Sequence, residues 1–161
     1  MRHPHYRADD ALWLFPTVYK YIAETGDTAF MDEIIPYATH GEGTVLDHLK
    51  RAIDFSMNHL GAHGMPAGLH ADWNDCLRLG AAGESSFVAM QLYLALRLLD
   101  ELMPNKPEND EYRVYLRQKA EEQKALINQH FWEDDRFRRG YSEQGSIIGS
   151  KNDPEASMWL N

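Results

Sequence analysis

The sequence has one cysteine, Cys76, among 161 residues, so no intrachain disulfide can staple it. A lone thiol fits a reducing compartment. Long apolar runs are missing too. None reaches the roughly 20 residues that span a bilayer, and Met1-Arg2-His3-Pro4-His5-Tyr6 lacks the apolar stretch of a secretory leader. A cytoplasmic protein that does not engage a membrane is expected. Basic residues are scarce, with 16 Lys and Arg against 25 Asp and Glu and a net charge of −9. The longest basic runs, Lys50-Arg51 and Arg138-Arg139, are too short for the clustered phosphate contacts of a nucleic-acid binder. Sequence repeats and low-complexity segments do not occur.

The chain is long enough for one domain with a real core. Both ends look cut. The first helix signal follows Met1 almost at once, and Met158-Trp159-Leu160-Asn161 is apolar where a natural terminus is more often polar. The expectation is therefore an internal piece of a longer chain, with residues 1–161 belonging to a single domain.

Helical periodicity dominates. A first helix is predicted from Asp9 or Asp10, either of which can cap it, with Leu12, Trp13, Val18, Tyr21 and Ile22 in apolar register. Pro16 falls in its first turns or kinks it, and Gly26 ends it. A short helix over 28–34 stops at Pro36. Thr44-Val45-Leu46-Asp47 resembles a capping box with Asp in place of Glu. It opens a helix whose apolar positions run from Val45 through Leu49 and Ile53 to Leu60. After Gly61 the chain is irregular to Gly83. A loop that long inside a compact domain is unusual and often functional. A helix from Glu84-Ser85 carries Phe87, Val88, Leu92, Ala95, Leu96, Leu99 and Leu102, and Pro104-Asn105-Lys106-Pro107 breaks it. Another spans about 109–131 with Tyr112, Tyr115, Leu116, Leu126 and Ile127 inward. Turns at Asp134-Asp135 and Glu143-Gln144-Gly145 then separate short extended pieces at Phe137, Tyr141, Ile147 and Ile148. The expected class is all-α, with helices joined as hairpins.

The irregular loop carries the chemistry. His70-Ala71-Asp72-Trp73-Asn74-Asp75 places an imidazole, two carboxylates, an indole and an amide within six positions. Indole faces stack on the apolar faces of pyranose rings, and carboxylates and amides bind hydroxyls directionally. A carboxylic acid with a raised pKa can protonate a leaving glycosidic oxygen. Trp73 is placed to desolvate Asp75. The other reading is structural: Asp and Asn in Gly-rich loops are turn formers or caps, for example Asp72 as N-cap with Asp75 at N3. The pattern alone leaves both open. No metal site is expected, since none of the eight histidines shows ligand spacing such as HExxH. Cys76 has no nearby base and reads as a small buried side chain rather than a nucleophile. Gly80-Ala81-Ala82-Gly83-Glu84-Ser85 lacks the Lys of a phosphate loop. Trp13 reads as core, although Asp9 and Asp10 beside it could line a pocket.

At these residues the sequence resembles glycoside hydrolase family 94, the cellobiose and chitobiose phosphorylases. Ala71-Asp72-Trp73-Asn74-Asp75-Cys76-Leu77 is similar to the family's acid-bearing motif. In the same order, Asp9-Asp10-Ala11-Leu12-Trp13-Leu14, Tyr21-Ile22-Ala23-Glu24-Thr25-Gly26-Asp27, His48-Leu49-Lys50-Arg51, Gly61-Ala62-His63-Gly64-Met65-Pro66, Gly83-Glu84-Ser85, Arg139-Gly140-Tyr141 and Ile148-Gly149-Ser150 resemble its flanking blocks. The resemblance implies part of an (α/α)6 barrel, a six-hairpin toroid that is incomplete in this chain. It implies inverting phosphorolysis of a β-linked, cellobiose-like disaccharide, giving α-glucose 1-phosphate. Asp75 then matches the general acid and Trp73 a sugar-contacting tryptophan, with Asp72, Asp9 and Asp10 as further substrate-binding candidates. No cofactor is implied; inorganic phosphate is a co-substrate and, being already an anion, needs no base. Members are often dimers, so a homodimeric parent is expected. The family's upstream Arg and Asp segment for the glycone sugar and its downstream His and Thr-Gly phosphate segments are absent, so the chain alone is expected to be inactive. Two rivals stand beside this reading: an (α/α) barrel hydrolase using water, and a non-catalytic helical binding domain in which Asp72 and Asp75 are caps.

Overall fold

The computed structural model describes residues 6–153. His3, His5 and the apolar end Met158-Trp159-Leu160-Asn161 lie outside the described residues. Four α-helices carry the architecture: α1 Leu14–Thr25, α2 Val45–Met57, α3 Ser86–Leu102 and α4 Asp110–His130. The helical expectation holds in part, since three small antiparallel sheets accompany the helices among the described residues. One pairs β1 Ile34–Pro36 with β2 Glu42–Thr44. Another pairs β4 Trp132–Glu133 with β5 Arg136–Phe137. The third sets β6 Gly140–Tyr141 between β3 Glu84–Ser85 and β7 Ile147–Ile148. These strands are two or three residues long, and β5, β6 and β7 hold the extended pieces expected at Phe137, Tyr141, Ile147 and Ile148.

Helix α3 is the hub. It packs along α4, to which residues 103–109 join it, and it also touches α1 and α2. Its Val88, Leu92, Ala95, Leu96 and Leu99 recur at helical spacing and are all buried. They meet Leu12, Phe15 and Val18 from the α1 region, Leu49, Ala52 and Ile53 of α2, and Leu116 and Ala120 of α4. Ala89, about a quarter turn off that stripe, closes a second cluster with Met65, Ile127 and Phe131. That cluster secures the base of the irregular segment.

Local signals explain the element ends. Gly26 stops α1 with φ of 71° and donates its N–H to the Ile22 carbonyl. Thr44 and Asp47 form the capping box on α2, with both reciprocal bonds at 3.0 Å. Two expectations fail at this level. The first helix opens as a 3-10 turn over Asp10–Trp13, and neither Asp9 nor Asp10 makes a side-chain cap. The carboxylate of Asp9 instead accepts the Trp13 indole N–H at 2.9 Å. Pro16 lies in the first turn of α1, where a missing N–H costs nothing. The segment predicted as a helix over 28–34 is a 3-10 turn, Thr28–Asp32, which then extends because Ile34, Ile35 and Pro36 pair with Thr44, Gly43 and Glu42.

Candidate active site

Between α2 and β3 the chain contains no helix or ladder strand; isolated bridges and turns hold it. Residues 6–8 run antiparallel to 69–71. The Ala8 N–H donates to the Ala71 carbonyl at 2.9 Å, and the His70 N–H to that of Tyr6 at 3.1 Å. This short pairing brings Arg7, Asp9 and Asp10 beside the loop with Asp75. Behind it, the N–H groups of Gly68 and Leu69 bond the carbonyls of Gly83 and Ala81. Leu69 is held at φ 52°, a left-handed conformation uncommon for a residue with a Cβ. Strain of this kind persists only where the surroundings over-determine it.

Asp72 and Asp75 occupy opposite environments. Asp72 is buried, and both of its oxygens have protein partners. Oδ1 accepts the Asn74 N–H at 2.8 Å, while Oδ2 accepts the Ser85 hydroxyl at 2.5 Å and the Arg139 guanidinium at 2.7 Å. Asn74 repeats the turn by accepting the Cys76 N–H at 3.1 Å. The turn-forming reading of Asp72 and Asn74 therefore holds in part, but Asp72 is not an N-cap, because no helix follows it. Asp75 stands out in solvent with its side chain 65% exposed, and Arg7 is ion-paired to it. That bond, followed by the charge of Asp75, raises the Arg7 guanidinium above its ordinary value.

An aromatic ledge lies alongside. Phe87 sits between Trp73 and Trp13, with ring centroids 6.3 and 6.2 Å away. Trp73 is 68% exposed, and the Asp75 side chain that it was expected to cover is 65% exposed. Trp13, expected in the core, is 44% exposed. Its indole N–H needs a polar partner, and Asp9 supplies one at the surface. Asp9 itself is buried, and its Oδ1 has no hydrogen-bond partner among the described residues; Asp10 is exposed. Cys76, expected to be buried, is an exposed free thiol at the end of the two Asx turns.

Two functional-looking residues escaped sequence reasoning. Arg139 reaches Asp72 across 67 residues. Glu84, 1% exposed, accepts the N–H groups of His63 at 2.9 Å and Met65 at 3.2 Å, and lies 2.5 Å from the His63 ring. Successive strand residues face opposite ways, so the dipeptide Glu84-Ser85 grips the 61–66 turn with one side chain and the acid loop with the other. A buried ion pair formed across a fold leaves no periodic trace. The sequence signal for them was their place in the blocks Gly83-Glu84-Ser85 and Arg139-Gly140-Tyr141, which gave neither residue a role. Among the described residues, no three His, Cys, Asp or Glu side chains gather as metal ligands.

Comparison with known proteins places this arrangement. Residues 3–161 match the catalytic domain of the glycosyl hydrolase 94 superfamily. The chain is 40% identical over 155 residues to an N,N'-diacetylchitobiose phosphorylase of Vibrio proteolyticus, covering 95% of this chain and 19% of that protein. It is 35% identical over 161 residues to a solabiose phosphorylase of Paenibacillus borealis, covering 98% and 21%. It is 32% identical over 171 residues to the cyclic beta-(1,2)-glucan synthase NdvB of Rhizobium meliloti, covering 94% and 6%. The chain thus spans about a fifth of the length of the two phosphorylases. With the 71–77 motif, its flanking blocks and a family match over nearly every residue in agreement, the chain belongs to the glycosyl hydrolase 94 superfamily, within its catalytic domain.

Proposed function

We propose that this chain is the acid-bearing part of an inverting disaccharide phosphorylase, built into an (α/α)6 barrel that it fills only in part. The observation that carries the reading is that the Asp75 carboxylate and, two residues before it, Trp73 are both exposed on a loop held from behind by buried bonds. In this reading a β-linked disaccharide stacks on Trp73. Asp10, exposed beside the loop, accepts sugar hydroxyls, while the buried Asp9 holds the Trp13 indole. A phosphate oxygen attacks the anomeric carbon from the face opposite Asp75. The glycosidic C–O bond breaks, and the Asp75 carboxyl gives its proton to the departing oxygen; solvent then reprotonates it. A carboxylate in an ion pair has no proton to give, so Arg7 must release Asp75 as the sugar binds. Asp72, with both oxygens engaged, acts by holding the loop rather than by touching sugar.

The names of the relatives support phosphorolysis over hydrolysis. For the sugar, the cellobiose-like expectation is joined by diacetylchitobiose, on which two relatives are named as acting. The exposed thiol fits a cytoplasmic setting, and among the described residues no helix is long and apolar enough to cross a membrane. A homodimer is the expected assembly, testable by solution mass of the full-length protein.

The test is a panel of β-linked disaccharides supplied with and without inorganic phosphate to the full-length protein. Phosphate-dependent release of an α-sugar 1-phosphate is expected, and Asp75→Asn should abolish it with folding intact. Sugar release that ignores phosphate establishes the hydrolase instead. Full activity in a folded Asp75→Asn protein establishes the binding domain.

A further inference from the structure

We infer that Arg139 is a positioning residue for the general acid, acting through Asp72; this rests on the reading of Asp75 given above. The guanidinium is buried, with its side chain 6% exposed, against an Asp72 side chain at 3%. It forks: Nη2 donates to Asp72 Oδ2 and Nη1 to Ser85 Oγ, each at 2.7 Å. Ser85 closes the triangle by donating its own proton to Asp72, and its oxygen accepts the Val88 N–H, which caps α3. The backbone of Arg139 is fixed on both sides. Its N–H donates to the Ile148 carbonyl, and its carbonyl accepts both the N–H and the hydroxyl of Ser86. The guanidinium therefore starts from a rigid base formed by β6, β7 and the start of α3.

The constraint passes outward in short steps. Asp72 holds the Asn74 amide, and Asn74 holds the Cys76 amide. Asp75 lies between those two anchored residues, so its backbone is fixed although its side chain stands in solvent. A general acid needs this combination: freedom to meet the leaving oxygen, from a Cα that does not wander. A planar fork matches two acceptors at once, which a lysine ammonium does not reproduce. A buried pair of this kind contributes little net stability against an apolar substitute, which leaves geometry as the reason for it.

The experiment uses the full-length protein and Arg139→Lys, with Asp75→Asn as reference. Each is assayed with phosphate on the best natural disaccharide and on an aryl β-glycoside whose nitrophenolate departs without a proton. Arg139→Lys is expected to lose roughly 10- to 100-fold in kcat on the disaccharide, with KM little changed and near-normal turnover of the aryl glycoside. A purely structural role would lower both substrates equally, and that result overturns the inference, as does a wild-type kcat in folded Arg139→Lys. Should Arg139→Lys fail to fold, Ser85→Ala, which removes one arm of the fork and keeps the charge pair, is judged by the same comparison. An active Asp75→Asn protein sinks the acid reading itself. An inactive Asp75→Asn beside a fully active Arg139→Lys sinks only the positioning role.

Discussion

The carboxylate of Glu84 lies 2.5 Å from Nδ1 of His63, a residue 21 positions earlier, and is buried to 1% exposure. The 61–66 turn is wrapped so tightly on this acid that Gly61 has no room for a methyl group; an added Cβ would lie 2.7 Å from Glu84 Cδ and 2.8 Å from Oε1. Gly61→Ala should therefore force the turn off Glu84 and destabilise the fold by about 1–3 kcal/mol. The denaturant midpoint of the variant measures this, and an unchanged midpoint shows that the turn has slack.

The His63 ring also stacks on those of His130 and Tyr141, at 4.5 and 4.4 Å. Burial, and then the nearby His63, lower the pKa of His130 from its ordinary 6.5, against a weaker opposing pull from Glu84. A base whose folded pKa is depressed binds protons more weakly folded than unfolded. Its contribution to stability is therefore full above pH 6.5 and is lost as the pH falls through the folded value. Thermal midpoints measured from neutral pH downward should fall in that window, and His130→Gln should flatten the fall.

Thr44 caps α2 by accepting the Asp47 N–H at 3.0 Å. Thr44→Ala removes that acceptor while leaving the helix's apolar face intact. The expected loss is ~1 kcal/mol, read from equilibrium unfolding. A variant as stable as the parent would mean that water replaces the cap without cost.

Trp73 is mostly exposed, with its ring 6.3 Å from that of Phe87. Trp73→Ala should leave stability within about 0.5 kcal/mol. If the indole is the sugar platform, the disaccharide KM of the full-length protein should rise roughly 2- to 10-fold, the equivalent of ~0.5–1.5 kcal/mol. Unaltered KM and kcat would move the platform elsewhere, with Trp13 the next candidate.

Much of the scaffold was legible before any coordinates. The capping box at Thr44, the glycine stop at Gly26 and the stripe Val88-Leu92-Ala95-Leu96-Leu99 are local patterns with local causes, and each sits where its chemistry requires. The acid loop was legible as an irregular segment rich in sugar-binding residue types. The environments within it were not. Asp72 and Asp75 are the same residue type three positions apart, yet one is buried on Arg139 and the other stands in solvent on Arg7. Trp13 and Cys76 went wrong for the same reason: residue type gives a preference for burial, while exposure is decided by which distant segment covers the position.

The amino-acid order by itself determined the Gly26 stop, the Thr44 cap, the buried stripe of α3 and to which family the chain belongs, because these depend on neighbours within a few positions or on ordered motifs. Only the tertiary structure decided which carboxylate is a buried strut and which stands at the surface. That choice depends on Arg139 and Arg7 arriving from 67 and 68 residues away. Long-range ion pairs carry no periodicity, so they come into existence only when the chain has folded.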